Sequence, residues 1–502
     1  MRFTSLVVEL IRARPRLVVW LVVLLQAAMW LILPMLLYRS PPGDIATVLA
    51  FGREYQVGTW FGPPLAFWLA DIAFRAAGNH VFGVYLLAQI CAVVTFWGFY
   101  QLARAIVGGQ QAVLAVLLSM TVVAFSSPGV EFGPLVLARP LWALLLLHSW
   151  RLMGQNRRSA WFAWSIEAGL LLLTTSAALG LLLLIAGFAV ATARGRRTLM
   201  SLDPLYALLV IVVLVLPYLI WVVRADVLAM PPLPAIDDLS GRAMHWGGLL
   251  GGLLLATAGI VLLVILNSGV FVRKAEEAPI IYRPQVDPLA RQFVYTFAIA
   301  PALFGSLIAG VFNLERVTGG AGVALLMSGL AVIVATGDLV YLRHQQLLRT
   351  VWAAALAGPA FVTIAATLFL PWTSSAEVPT GLPARAIAHF FGDNFERRTN
   401  QRLRAVAGDP QLASFIALDA GRPHLLLDAT PERTPWLSVA KFNEAGGVVV
   451  WRASDMLGTP PPDIAQRFPG LVPEIPRAFE LMVNGRQPLL RIGWAIVRPK
   501  AP

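Results

Sequence analysis

A chain of 502 residues that is 58% hydrophobic and only 13% charged is too apolar for a water-soluble globule. The formal net charge of +12 invites a nucleic-acid reading, but 15 of the 39 Lys and Arg lie beyond residue 372. Most of the others flank apolar stretches, where they set topology and meet anionic lipid headgroups, so membrane lipids are the partner implied and nucleic acid is excluded.

A membrane span needs about 20 apolar residues. Eleven stretches are read as spans: 17–37, 81–103, 106–126, 130–150, 160–175, 177–193, 204–223, 246–271, 293–312, 321–342 and 350–371. The pair 160–175 and 177–193 reads equally as one broken helix. The first stretch is too long for a signal peptide and lacks a small-residue cleavage site, which makes it a retained anchor. The one cysteine, Cys91, falls in the second span, excluding an internal disulfide and a cysteine-based zinc site. Past Pro371 the pattern becomes mixed, polar and rich in turns. The predicted fold class is a polytopic α-helical membrane protein of about eleven transmembrane helices (1–372) with a soluble C-terminal α/β domain (373–502).

Short-loop charge orients the chain. With the N-terminus inside, the inner loops hold 17 Lys and Arg and the outer ones six: Arg39, Arg53, Arg75, Arg224, Arg242 and Arg316. The positive-inside rule then puts the N-terminus in the cytoplasm. An odd number of crossings places the first loop (38–80) and the C-terminal domain together on the outer side.

The first loop carries the chemistry. It reads DIATVLAFGREYQVGTWFGPPLAFWLADIAFRAAG from Asp44, too amphipathic to cross a bilayer and too apolar for an ordinary loop, so it belongs on the membrane surface. Asp44 follows Pro41-Pro42-Gly43, a turn that fixes a carboxylate at the mouth of the first span. An N-cap for the helix starting at Ile45 is the competing use, and one Asp can serve both. Arg53 and Glu54 lie further along, Glu54 reading as solvated polar face, and Trp60 and Trp68 as anchors at headgroup level. Glu131, in the short outer turn before the fourth span, is a second outer carboxylate. Arg139 falls about 12 Å deeper on the same helix at 1.5 Å per residue, where an unpaired charge is costly and marks either function or an ion pair, the candidate partner being Glu167. Arg224 ends the seventh span on the outer side, where it holds a lipid phosphate or snorkels.

Beyond the spans, helices are expected at 384–398, 410–418 and 436–444, and strands at 403–407, 424–427, 447–452 and 489–497. This alternation predicts a small α/β sandwich around a mostly parallel sheet, in a lid or acceptor-binding role.

The run from Gly43 to Gly108, with GPPLAFWL in the first loop and FWGFYQLARAIVG closing the second span, resembles glycosyltransferase family 39, a GT-C group that includes protein O-mannosyltransferases and lipid A aminoarabinose transferases. The Glu131 turn followed by PLVLARPLWALLLLHSWR is similar to the family's third-to-fourth helix junction, and LPYLIWVVRAD (216–226), which contains Tyr218, to a later segment. The likeness covers roughly the first 225 residues. It implies an inverting transferase that moves a sugar from a polyprenyl-phosphate donor to an envelope acceptor, whether lipid, glycan or protein. Asp44 would then be the general base and Glu131 a second catalytic carboxylate, at the periplasmic face of a bacterial inner membrane. Arg53, Glu54, Arg139, Arg224 and Tyr218 would bind substrate, and cationic side chains or a divalent metal would balance the phosphate. This chain departs from the family pattern at several points. Ile45, not an acid, follows Asp44; Gly62 precedes the Pro-Pro pair where relatives carry a charge; Thr174-Thr175-Ser176-Ala177 lacks a lysine; and Tyr218 stands in place of His. A lipid or lipid-sugar transporter is the alternative, favoured by Arg139, Glu167 and Asp338 but opposed by the lack of paired halves.

Overall fold

The computed structural model describes residues 3–59, 61–127, 130–224, 239–268, 280–374, 378–427, 436–453, 455–481 and 489–500. Trp60, Pro128, Gly129, residues 225–226 of the segment 216–226 and 269–271 of the eighth expected span lie outside them. The chain forms two compact units: Met1–Ile32, Leu86–Gly129 and Pro134–Phe361 make the first, and Leu33–Tyr85, Val130–Gly133 and Val362–Pro502 the second. The second unit therefore gathers the first loop and the region beyond residue 372 into one body, cutting across the sequence division at 372/373.

The first unit is helical. Among the described residues, six helices of the chain are long and apolar enough to cross a membrane, or eight if each of two bent pairs is one span. The six are Pro15–Leu37, Phe82–Ser119, Pro134–Met153, Asp203–Arg224, Pro288–Val311 and Gln345–Thr373. The helix Phe82–Ser119 covers most of two expected spans and breaks at Gly108, whose φ of 78° only glycine adopts without strain. The expected pair 160–175 and 177–193 becomes Ala160–Leu172 and Ala178–Ala191, the latter bent by 108° into Ala193–Leu199. At 1.5 Å per residue, each of the two longer pieces reaches only about 20 Å against a hydrocarbon core of about 30 Å.

The expected span 321–342 is not one helix. Ala321–Ala324 and Ser328–Ala335 are followed by strand β2 (Leu339–Tyr341), which pairs antiparallel with β1 (Ile280–Tyr282). Gly337, at φ 92°, turns the chain there. Arg283 locks the turn, donating to Asp338 Oδ1 at 3.0 Å and to the Ile333 and Val334 carbonyls at 2.8 and 3.2 Å. Asp338 is thus part of a structural bond. Glu167 pairs with His148 at 2.8 Å rather than with Arg139.

In the second unit, the helices Ile45–Arg53 and Leu65–Ala76 pack so closely that a Cβ at Gly52 would lie 2.2 Å from the Phe67 carbonyl oxygen. Beyond them stands a five-stranded sheet ordered β4 (His424–Leu427), β3 (Ala405–Gly408), β5 (Gly447–Arg452), β7 (Leu490–Val497), β6 (Glu474–Phe479). The pairs of β3 with β4 and β5 are parallel; those of β7 with β5 and β6 are antiparallel. The sheet is therefore mixed, not mostly parallel. The strand of this sheet absent from the sequence reading is β6, which carries Pro476 and an irregularity between Glu474 and Arg477. Its run EIPRAF lacks the alternation that marks a strand. The four expected strands and the helices Ala384–Thr399, Pro410–Asp419 and Val439–Ala445 lie within a few residues of expectation.

Candidate active site

The first span ends at Leu37, and the segment after it is tied down within the second unit. The Arg39 N–H donates to the Thr380 carbonyl at 2.9 Å, and the Ser40 hydroxyl to the Pro379 carbonyl at 2.5 Å. Gly43, at φ 55°, then turns the chain into the helix Ile45–Arg53. Asp44 occupies the N-cap position, but its carboxylate makes no cap hydrogen bond and is exposed. The capping role open to it in sequence is not the one its side chain adopts. Against Gly43 lies the second outer carboxylate: a Cβ there would stand 2.8 Å from Glu131 Cδ and 3.0 Å from its Oε2. Glycine at 43 is thus required both by its backbone and by its neighbour. Tyr38 feels the same carboxylate. Burial first, and Glu131 second, push its phenol above the ordinary tyrosine value.

Tyr38 also lines a cleft of about 650 Å³ with Arg39, Ser40, His80, Arg385 and His389, floored by Pro34 and Met35. Arg385 donates to His80 Nε2 at 3.1 Å, and His389 stands 3.8 Å from Asp419.

The inner end of the helix Ile45–Arg53 is different. Glu54, expected on a solvated face, is 7% exposed and accepts a bond from His424 Nδ1 at 2.7 Å. Asp71, on the buried stripe of the helix Leu65–Ala76, is fully enclosed and takes three donors. These are Tyr55 Oη at 2.9 Å, Arg75 Nε at 2.7 Å and Arg422 Nη2 at 2.5 Å. Arg422 further lies 4.9 Å from the Phe74 ring centroid. Arg53 borders this cluster with Nη1 buried and without a partner among the described residues. Burial holds its guanidinium below the ordinary value; Glu54 opposes that, and Arg422 and Arg75 reinforce it. Trp68, expected at headgroup level, gives its indole N–H to the Gln56 carbonyl at 3.0 Å.

Sequence reasoning missed Asp71, Arg422 and His424. One signal was available: Asp71 shares the apolar stripe of Ala66, Phe67, Ala70 and Phe74, and a carboxylate in such a stripe demands a cationic partner.

The remaining candidates belong to the first unit. Arg139 donates through Nη1 to the Ala124 carbonyl at 3.2 Å, and its guanidinium lies 5.9 Å from the Phe125 ring centroid. Tyr218 stacks on Trp221, 5.9 Å between centroids at 15°. Arg224, at the end of its helix, is exposed and has no side-chain partner among the described residues. No group of three or more His, Cys, Asp or Glu able to hold a metal ion occurs among the described residues.

Residues 62–221 match the family model described as dolichyl-phosphate-mannose-protein mannosyltransferase. That stretch contains Glu131, Arg139 and Tyr218; Asp44, Arg53, Glu54 and Arg224 lie outside it. No curated protein matches the sequence. Among solved structures, ArnT from Cupriavidus metallidurans bound to undecaprenyl phosphate is similar at TM-score 0.57 and 14% identity, covering 96% of this chain and 99% of that one. The apo form of the same protein gives TM-score 0.58 and 14% identity over 95% and 97%. The Archaeoglobus fulgidus oligosaccharyltransferase is more distant, at TM-score 0.45 and 13% identity over 86% and 69%. The resemblance to the GT-C glycosyltransferases is thus carried by a family match over residues 62–221 and, across nearly the whole chain, by the fold of a multi-span membrane protein.

Proposed function

We propose that this protein moves a sugar from a polyprenyl-phosphate donor to an acceptor hydroxyl at the periplasmic face of the inner membrane, with Asp44 as general base. The observation that carries the reading is the state of Asp44: an exposed carboxylate just past the first span, free of any cap bond, with Glu131 packed against the preceding Gly43. In the reaction, Asp44 takes the proton of the acceptor hydroxyl as its oxygen attacks the anomeric carbon. The bond from that carbon to the phosphate oxygen breaks, and the electron pair leaves on the lipid phosphate. A single displacement of this kind inverts the anomeric centre.

Glu131 keeps the Asp44 side of the site electronegative, and the cleft beginning at Tyr38 receives the acceptor. Arg224, exposed and unpartnered among the described residues, suits a lipid phosphate, which a guanidinium can hold through two parallel bonds. Arg53 and Glu54 are drawn into the charge cluster of the loop and act on the substrate only through it. Asp44 and Glu131 would be the carboxylates to hold a divalent cation; such an ion, when bound, would neutralise charge on the leaving group.

Asp44→Asn is the test, since Asn keeps size and capping ability but accepts no proton. In a strain lacking the chromosomal copy, the variant should reach the membrane at normal levels and still bind lipid donor, while mass spectrometry of envelope lipids and glycans shows transfer down by about 10²–10⁴-fold. Wild-type product levels would remove Asp44 from the chemistry. The orientation is checked by a reporter fused after Pro502, which should be active only on the periplasmic side.

A further inference from the structure

Four polar atoms without a partner among the described residues belong to side chains lining one small cavity in the first unit. It measures about 20 Å³, room for about one water-sized particle, and is walled by Gln26, Gln89, Thr95, Phe96, Phe125 and Arg139. Gln26 gives its amide N–H to the Phe125 carbonyl at 2.7 Å, which leaves its Oε1 unpaired. Gln89 is 3% exposed, and neither its oxygen nor its nitrogen has a protein partner. Arg139 has a buried Nε in the same condition, and no carboxylate among the described residues pairs with its guanidinium. The fold makes room for this side chain: a Cβ at Gly322 would lie 2.4 Å from Arg139 Nε and 2.9 Å from its Cδ.

We infer that this cavity binds a monatomic anion of the size of chloride or bromide, with Arg139 and Gln89 as its ligands. Size excludes phosphate and sulfate, each with five heavy atoms, and so separates this site from any that holds the lipid donor. A water molecule would satisfy the amides but leave a full positive charge uncompensated among apolar spans, which is the costlier arrangement. Gln89 is free to serve, because no protein bond fixes its amide and its NH₂ can turn toward the anion.

The experiment uses the full chain in phosphatidylcholine nanodiscs, with sodium gluconate replaced stepwise by sodium bromide at constant ionic strength. The unfolding midpoint should rise and saturate with bromide, as expected for a ligand of the folded state. That response should vanish in Arg139→Met and in Gly322→Ala, which keeps the charge but displaces the guanidinium, and should weaken in Gln89→Leu. Should the first two variants fail to fold, Gln89→Leu carries the comparison. Bromide-soaked crystals should show an anomalous peak beside Arg139. A midpoint indifferent to halide, a response that survives in Gln89→Leu at full strength, or maps with no bromide in the cavity would each overturn the assignment.

Discussion

Asp44 and Asp71 belong to one loop and one compact unit, yet they are opposite kinds of carboxylate. The Asp44 carboxylate is exposed and has no bonding partner among the described residues, while Asp71 is fully enclosed and bonds to Tyr55, Arg75 and Arg422. A carboxylate ringed by donors from its own loop and from the C-terminal region can fasten two pieces of backbone together but, fully buried, has no face open to a substrate. A carboxylate at the start of a helix whose inner end is so fastened has a fixed position and an open face. The difference separates what builds the site from what acts in it, and substitution can separate them too.

The largest effect should come from Asp44→Asn, with transfer lost by about 10²–10⁴-fold and the unfolding midpoint unchanged. Asp71→Ala should do the reverse. It leaves Arg422 and Arg75 facing each other without the carboxylate, and breaking a buried pair typically costs about 3–5 kcal/mol. Calorimetry or denaturant unfolding of the purified protein checks this, and restored stability in Asp71→Leu with Arg422→Met would show that the penalty is that of unpaired charge. If Asp44→Asn proved the less stable of the two, the division would collapse. Glu54→Gln should lie between them. Its partner His424 is 44% exposed, so solvent screening reduces the loss to about 1 kcal/mol.

The smallest effect concerns pH. Burial and Glu131 raise the Tyr38 phenol in the folded state, so folding favours its protonated form. That contribution is fully present below the ordinary tyrosine value of about 10 and is lost as pH rises through the raised one. Alkaline unfolding followed by tyrosinate absorbance should therefore begin above about pH 10, and the Tyr38 part of the signal should move down in Glu131→Gln.

Much of this was legible in the chain. Apolar runs marked the long helices, and the proline-glycine turn before Asp44 marked the mouth of the first span. The strands β4, β5 and β7 stood out as short apolar runs bounded by turns. What stayed hidden depended on distant partners. Glu54 reads as a surface residue until His424 is brought to it from 370 positions away. The segment 321–342 is apolar enough for a span, but Gly337 and the Arg283–Asp338 bond turn it into a strand instead. Arg139 was singled out as an unusual charge, but its candidate partner Glu167 is occupied by His148. No local pattern reveals which of several buried charges will meet.

The bond between Asp71 and Arg422 spans 351 positions, and it has a consequence for inheritance. The first loop and the C-terminal region are not interchangeable parts: a chimera that takes its C-terminal region from a relative with no guanidinium at 422 would bury a carboxylate without its counter-charge. Among homologues, an acid at 71 and an arginine at 422 are therefore expected to be gained and lost together, while the acid at 44 should persist in either background.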